Sequence, residues 1–384
     1  MRPRLSPTGR QRADSPPRKI LLLRLRRLGD IVLTTPAVTL LKRAFPAASL
    51  TYLVEEPFRR LVEGNPHLDR VLAVPAKQPA AGLLRLIGSL RRERFDAVVD
   101  FHGGPRASWI TLLGGAKLKI GYAIPGKGFL YDVRVPRTGP GGPVHSVVNH
   151  ANLVEALIRV HSRPTDASAV PPLLLPEPTQ AEKDRVSELL KEQYAASHSS
   201  AEISRGPRAR ESDPHARPGA PALVVLHIGA GNRFRDWGEE NLAALLSLFG
   251  RDPRVRVALI GSAGDRDRES RLSAGAPGTA LSFSGRLNLI EVRELIRRAA
   301  LFAGPDSGPM HIAASTPVPI VAWFGPTLPA HFAPWRPDGG RTVILERGLA
   351  CRPCDQRACL TSDYRCLRDI TPEAVTEACR PFLV

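Results

Sequence analysis

Residues 19–45, KILLLRLRRLGDIVLTTPAVTLLKRAF, begin with an apolar run that predicts a buried β-strand and continue into a loop and a helix. The alternation goes on along the chain. ASLTYLVEE and RFDAVVDFHG are typical of strands, whereas FRRLVEGN and GLLRLIGSLRRE have helical patterns. Strands alternating with helices indicate a parallel sheet covered on both faces. HSVVNHANLVEALIRV has helical apolar spacing and closes this first half.

A second series of strands and helices follows a break in composition. SHSSAEISRGPRARESDPHARPGAP is rich in Ser, Pro, Arg and Gly, which favours a flexible linker or surface insertion. ALVVLHIGAG, VRVALIGS, LFAGPD and PIVAWFGP are typical of strands, with helical patterns between them. The fold class is therefore α/β, with two Rossmann-like doubly wound domains facing a central cleft. The predicted segments are a basic disordered tail at 1–18, a first domain at 19–175, a linker at 176–220 and a second domain at 221–384.

Positive charge is concentrated in the first part of the chain. The net charge is +17, and residues 1–150 hold 25 Lys and Arg against 10 Asp and Glu. Such a half attracts polyanions, although a high-GC genome that favours Arg would explain the charge as well. Aromatic residues make up 5% of the chain, too few for a base-stacking surface, so a membrane surface or an anionic acceptor is favoured over nucleic acid. The tail lacks the layout of a secretory signal and no run of about 18 apolar residues exists, which predicts a cytoplasmic protein.

The loop after the first strand, RRLGDIV, contains no GxGxxG dinucleotide fingerprint. Gly29 favours a tight turn, and Asp30 comes at or near a helix start. Asp30 has two interpretations, and the two roles can coexist. It is an N-cap that stabilises the helix by about 1 kcal/mol, or a carboxylate that serves as a general base.

The stretch GPDSGPMHIAAS, which begins at residue 304, predicts a phosphate site where a strand ends and a helix begins. Unpaired N–H groups at Ser307 and Gly308 suit an anion there. Asp306 would repel phosphate, so it is expected to accept hydrogen bonds from hydroxyls or to order the loop. His311 either reaches the same anion or is an ordinary core histidine.

Two further loops follow buried strands. In HIGAGNRFRDW, Gly229 and Gly231 allow backbone amides to approach a ligand. Arg235 either binds a diphosphate with its fork of donors or is simply solvated. LIGSAGDRD places Gly261 and Ser262 where backbone contacts could hold a base or ribose.

The chain resembles the heptosyltransferase family of glycosyltransferases (glycosyltransferase family 9). The resemblance rests on LGDIVLTTP and GPDSGPMHIAA, and extends through SGRLNLIEVRELIRRAALFAGPD and PIVAWFGPT from about residue 19 to residue 380. It implies a GT-B fold with the active site between the two domains. It also implies a metal-independent, inverting transfer of heptose from ADP-heptose to an anionic lipid-linked glycan, the inner core of lipopolysaccharide.

The resemblance also implies roles for individual residues. Asp30 matches the proposed catalytic base. Leu287 lies where the family backbone contacts the adenine, and Arg235 stands where the family usually has a lysine for the donor phosphate. The expected donor residues are Gly229, Gly231, Arg235, Gly261, Ser262, Leu287, Asp306, Ser307, Gly308 and His311. The expected acceptor residues are Arg27, Gly29, His102 and Arg106.

These residues fit the expected chemistry. The leaving nucleoside diphosphate gains charge and needs amides and a cation, whereas the acceptor hydroxyl needs a base. A peripheral position on the inner face of the cytoplasmic membrane is expected, without nucleic acid and without an obligate protein partner. The alternatives are a related transferase with another nucleotide sugar or acceptor, and a nucleotide-binding protein without turnover.

The end of the chain is rich in cysteine. CRPCDQRACLTSDYRC brings together four cysteines, and Cys379 follows. Their spacing is not that of a standard zinc ribbon. The alternatives are a structural metal or cysteine pairs on one side and buried free thiols on the other. The four residues are Cys351, Cys354, Cys359 and Cys366.

Overall fold

The computed structural model describes residues 15–126, 128–137, 144–162, 170–197 and 221–383. Backbone contacts divide the chain into an N-terminal unit, residues 1–176, and a C-terminal unit, residues 177–384. Most of the expected basic tail, residues 1–14, lies outside the described residues. So does the part of the expected linker from residue 198 to residue 220.

The N-terminal unit is built on one six-stranded parallel sheet with the order β3-β2-β1-β4-β5-β6. Its first strand is buried along almost its whole length, as the apolar run predicts, and pairs with β2 on one side and β4 on the other. The elements of this unit are β1 (Lys19–Leu23), α1 (Leu28–Ala44), β2 (Ser49–Glu55), β3 (Arg70–Val74), α2 (Ala80–Glu93), β4 (Ala97–Asp100), α3 (Pro105–Leu113), β5 (Leu118–Tyr122), β6 (Val133–Val135) and α4 (Ser146–Val160).

The C-terminal unit repeats this plan with the order β12-β11-β10-β7-β8-β9, again all parallel. Its elements are α5 (Gln180–Ser197), β7 (Ala222–His227), α6 (Glu239–Phe249), β8 (Val255–Ile260), α7 (Arg266–Ala274), β9 (Ala280–Ser282), α8 (Leu289–Arg297), β10 (Leu301–Pro305), α9 (Gly308–Ala314), β11 (Ile320–Phe324), α10 (Pro329–Phe332), β12 (Thr342–Glu346), α11 (Arg365–Arg368) and α12 (Pro372–Cys379).

Two segments differ from their expected structure. The pattern FRRLVEGN predicts a helix, but the chain forms a 3-10 turn at Glu56–Leu61 because its few apolar residues do not cover a helical face. The segment 176–220, expected to be a linker, begins with helix α5. This helix packs against α8 and β9, so its first part belongs to the C-terminal unit. Val186 and Leu190 are buried on this helix.

Each unit has its own apolar core. In the C-terminal unit the rings of Trp237 and Trp323 lie 4.6 Å apart and are almost fully buried. In the N-terminal unit, α2 and α3 cover one face of the sheet through residues such as Leu90 and Ile110. No helix within the described ranges combines the length and the apolar character that crossing a bilayer requires.

Candidate functional site

The loops that follow β7 and β10 meet at one edge of the C-terminal sheet. The two strands are neighbours at the centre of the sheet. From β7 the strands continue outward on one side through β8 and β9, and from β10 on the other side through β11 and β12. Ligands of open parallel sheets bind at such a switch point, beyond the carboxyl ends of the strands. His227 ends β7, and its Nδ1 lies 3.0 Å from the hydroxyl of Ser307, which precedes α9. Burial lowers the pKa of His227 to about 4, so this imidazole is neutral at pH 7.

Asp306 is held by two neighbouring loops. Its side chain is buried at 3% exposure and accepts a 2.6 Å hydrogen bond from the hydroxyl of Thr327. The guanidinium of Arg235 lies 3.3 Å from the same carboxylate oxygen. A buried carboxylate needs such partners, because an unpaired charge away from water is costly. The loops after β7, β10 and β11 are therefore tied together around one acid.

Arg235 is fixed from a second side by Gln356. The Nε of Arg235 donates to the Gln356 side-chain oxygen at 3.1 Å, and the amide of Asn232 donates to the same oxygen at 2.7 Å. Arg235 keeps 27% of its side chain exposed. Gln356 and Asp306 thus hold two of the three guanidinium nitrogens, and the exposed part of the side chain remains accessible to an anion.

Glycines permit a close approach of the loops after β7 and β8. A Cβ at Gly229 would come within 2.8 Å of the Asp265 carboxylate, and one at Gly261 within 2.9 Å of the same side chain. Ser262 begins a short turn, Ala263–Asp265, and donates from its backbone N–H and its hydroxyl to Asp265. Ser262 thus has a structural role in this turn. Around Gly231 no atom of the chain lies within 4 Å of the Cβ position.

Two other expected donor residues lie nearby in the fold. Leu287 is half-buried directly before Asn288, the residue that caps α8 through two backbone N–H groups. His311 lies inside α9 and is 3% exposed. Its burial agrees with the core interpretation of this histidine, and its side chain has little access to solvent.

In the N-terminal unit, Asp30 forms an ion pair with Arg24. Asp30 lies in the first turn of α1 and keeps 23% of its side chain exposed, whereas Arg24 is almost fully buried at the end of β1. The other terminal nitrogen of Arg24 donates to the carbonyl of Phe101 at 2.7 Å, just beyond β4. The N-cap interpretation of Asp30 is wrong. The cap position is Arg27, in a left-handed conformation with φ 72°, and no side chain caps the helix.

The loop after β4 carries a buried acid and a neutral histidine. Asp100 is fully buried and accepts hydrogen bonds from the hydroxyl of Tyr131 at 2.7 Å and from two backbone N–H groups; burial raises its pKa. Burial, and then the positive charge of Arg24, lowers the pKa of His102 to about 3. The positive charges of Arg26, Arg137 and Arg27 act on His102 in the same direction.

The four expected acceptor residues are not equally available. Gly29 and Arg27 lie at the start of α1, beside Asp30, and His102 lies on the β4 loop. Arg106 is half-buried at the start of α3. It lies 3.2 Å from Glu55 and donates to the carbonyls of Pro75 and Ala76, so its guanidinium is largely used within the protein.

Four of the cysteines surround one small cavity. Cys351, Cys354, Cys359 and Cys366 line it together with Phe234 and Tyr364, and each is partly exposed. Cys379 is buried in the core, where burial raises its pKa to about 12. None of the five forms a disulfide. Within the described ranges no three His, Cys, Asp or Glu side chains are arranged to hold a metal ion.

Sequence reasoning missed several partners of the site residues. Arg24 interrupts an apolar run and could have been noticed for that reason, as could His227 at the end of VVLH. Thr327 and Gln356 gave no such signal. Each acts only through a contact with a residue far away in sequence.

Comparison with known proteins places the chain in a family. The family profile Glycosyltransferase family 9 (heptosyltransferase) matches residues 83–365. The chain is 27% identical over 368 residues to lipopolysaccharide heptosyltransferase 1 of Pseudomonas aeruginosa, covering 92% of each protein. The chain therefore belongs to glycosyltransferase family 9 and is a glycosyltransferase.

Solved structures share the fold. The glycosyl transferase family 9 protein from Veillonella parvula matches with a TM-score of 0.73 at 20% identity, covering 95% of this chain and 97% of that one. The E. coli ADP-heptose lps heptosyltransferase II matches with a TM-score of 0.69 at 20% identity, covering 95% and 98%. The two-unit α/β fold with parallel sheets is thus the GT-B fold of these enzymes.

Proposed function

We propose that this protein transfers a heptose from ADP-heptose to an anionic, lipid-linked glycan of the lipopolysaccharide inner core, with inversion and without a metal. The relative from Pseudomonas is named a lipopolysaccharide heptosyltransferase, and the name of the E. coli structure includes ADP-heptose. The observation that carries the proposal is the placement of Asp30, a partly exposed carboxylate oriented by Arg24 at the carboxyl edge of the N-terminal sheet.

In the proposed reaction Asp30 acts as the general base. It takes the proton of the acceptor hydroxyl while the hydroxyl oxygen attacks the anomeric carbon of the donor. The bond from that carbon to the diphosphate oxygen breaks, and its electron pair leaves with ADP. Attack from the side opposite the leaving group inverts the configuration. Arg24 supports this role because its guanidinium holds the carboxylate in one orientation.

The C-terminal unit would hold the donor. Arg235 supplies the cation for the diphosphate, and its exposed guanidinium is presented from a position fixed by Asp306 and Gln356. Charge that develops on the leaving group is stabilised most by donors that are already oriented. Ser307, Gly308 and the glycines at 229, 231 and 261 are the proposed backbone contacts, and Leu287 the proposed adenine contact.

The N-terminal unit would bind the acceptor. Burial lowers the pKa of His102, and the guanidinium groups of Arg24, Arg26, Arg137 and Arg27 lower it further, which supports a positive potential beside Asp30. An acceptor with carboxylates and phosphates suits this potential. Gly29, Arg27, His102 and Arg106 remain the proposed acceptor residues.

The test is a measurement of ADP release and of product mass with ADP-heptose and a Kdo–lipid A acceptor in detergent. Asp30→Asn is expected to lower kcat by roughly 10²–10⁴ with an unchanged donor Kd. Asp306→Ala is expected to weaken donor binding while the circular dichroism spectrum shows that the fold is retained.

Other outcomes would overturn the proposal. ADP release that is insensitive to Asp30→Asn would exclude this residue as the base. Thermal stabilisation by UDP-sugars alone would favour a related transferase with another donor, for which the arginine in place of the family's lysine gives a reason. Donor binding without any release would favour a binding protein.

A further inference from the structure

Helix α3 exposes an apolar stripe on its outer face. Pro105, Trp109 and Leu113 recur every four residues and lie on one side of the helix, with Trp109 55% exposed and Leu113 37% exposed. The opposite side, which includes Ala107 and Ile110, is buried in the core. A surface helix normally presents polar residues outwards, so this arrangement is unusual.

A second exposed ring lies beside this stripe. Phe129 is 77% exposed in the 3-10 turn Gly128–Leu130, which contacts α3. We call Trp109, Leu113 and Phe129 the α3 patch. Five large apolar side chains are exposed in the part of the chain that the structure describes. The α3 patch supplies three of them, Leu84 on the neighbouring α2 is a fourth, and Leu360 of the C-terminal unit is the fifth.

The surroundings of the patch are basic. Residues 77–137 contain 11 Lys and Arg against 4 Asp and Glu. All four acids are buried or paired: Asp100 lies in the core, Asp96 pairs with Lys117, Glu93 with Arg70 and Asp132 with Lys119. The exposed arginines of α2 are Arg85, Arg91 and Arg92.

One arginine lies directly beside the end of α3. A Cβ at Gly115, two residues past the helix, would come within 3.1 Å of the Arg91 side chain. Apolar rings and arginines are thus neighbours on this surface.

We propose that the α3 patch and the arginines of α2 dock the N-terminal unit on the surface of an anionic lipid bilayer. Tryptophan and phenylalanine partition into the bilayer interface, and arginines add attraction to anionic headgroups. The inference rests on the proposed function in one respect, since a lipid-linked acceptor requires the enzyme to work at a membrane.

Two other occupants fit the patch less well. Three side chains are few for a stable protein interface, which involves roughly 20–30 residues on each side. A second copy of this chain, related by two-fold symmetry, would bring the same arginines against each other. Anionic lipid satisfies both the apolar and the cationic groups.

The experiment uses the full chain and vesicles of phosphatidylcholine with about a third phosphatidylglycerol, compared with phosphatidylcholine alone. Co-sedimentation is expected with the anionic vesicles and not with the neutral ones. Trp109→Ser combined with Phe129→Ser is expected to lower the partition coefficient by roughly tenfold or more. Leu360→Ser, the matched change at the exposed leucine of the other unit, is expected to leave it unchanged.

Fluorescence gives a readout that is specific to the patch. Trp237 and Trp323 are buried, and Trp335 of the C-terminal unit is partly buried. A blue shift on vesicle binding is expected to come from Trp109 and to disappear in Trp109→Phe, which keeps binding. Circular dichroism and ADP release with the detergent-solubilised acceptor are expected to be unchanged in the double variant.

Three results would overturn the docking proposal. The double variant could partition onto anionic vesicles as strongly as the wild-type chain, or the wild-type chain could bind neutral vesicles as strongly as anionic ones. The third result is a double variant that differs from the wild-type chain only in self-association, measured by sedimentation velocity. Failure of the proposed function is a separate result. It would appear as absent ADP release from the wild-type chain while patch-dependent vesicle binding persists.

Discussion

Arg24 and Asp30 form an ion pair at the carboxyl edge of the N-terminal sheet, with the arginine buried and the aspartate partly exposed. Arg24 is also bound to the carbonyl of Phe101, so it joins the loop after β1 to the loop after β4. Arg24 thus orients the proposed base and links the two loops that leave the sheet at its switch point, between β1 and β4.

Replacing Arg24 by lysine tests this relationship. Lysine keeps the charge but lacks the planar fork that reaches both Asp30 and Phe101. We expect kcat to fall by roughly tenfold or more, with an unchanged donor KM, in a steady-state assay of ADP release. Arg43→Lys, an exposed change near the end of α1, is the control. A donor KM that rises as much as kcat falls would contradict a role in positioning the base.

Gln356 is expected to support donor binding by holding the side chain of Arg235 in place. In Gln356→Ala the guanidinium of Arg235 loses the partner that holds its Nε, while the ion pair to Asp306 remains. Ordering the freed Arg235 side chain on binding costs about 0.5–1.5 kcal/mol, which predicts a donor Kd raised by up to roughly tenfold in calorimetry. Gln180→Ala, a helix-surface change, is the control. An unchanged Kd would show that Arg235 needs no second anchor.

Alanine substitutions at two glycines are expected to distinguish an effect on donor binding from an effect on fold stability. At Gly231 an added Cβ meets no atom of the chain, so Gly231→Ala is expected to keep the urea midpoint and to weaken donor binding if a ligand approaches there. At Gly285, φ is +66° and a Cβ would lie 2.6 Å from the backbone of Ala263. Gly285→Ala is therefore expected to lower the free energy of unfolding by roughly 1–3 kcal/mol. Equal midpoints for the two variants would contradict this distinction.

The low pKa of His227 predicts that the protein loses stability in acid. Below the usual histidine pKa of about 6.5, the unfolded chain takes up a proton, whereas folded His227 stays neutral down to about 4. Unfolding then binds a proton, so stability falls as the pH drops from about 6.5 to about 4. In His227→Asn this part of the pH dependence is expected to shrink in urea titrations at several pH values. His331→Asn, at a half-exposed histidine, is the control, and an unaltered slope for His227→Asn would refute the assignment.

The central strands could be predicted from sequence because strands buried on both faces are continuous apolar runs. LLL in β1 and VVL in β7 have this form. The edge strand β3 is only half-buried and β9 has three residues, so neither has a distinctive pattern. Helix α5 was not recognised because its composition is polar; its buried apolar side chains are those of Val186, Leu189, Leu190 and Tyr194.

The sequence by itself determined the two series of strands and helices, the loops that carry polar residues, and the motifs LGDIVLTTP and GPDSGPMHIAA that indicate the family. Only the tertiary structure decided which side chains meet. His227 and Ser307 are 80 positions apart, and Arg235 and Gln356 are 121 apart. His227 and Ser307 meet because β7 and β10 are neighbouring parallel strands whose loops leave the sheet at the same edge. Gln356 reaches Arg235 from the segment between β12 and α11. Periodicity along a chain contains no information about strand order or about such long-range contacts.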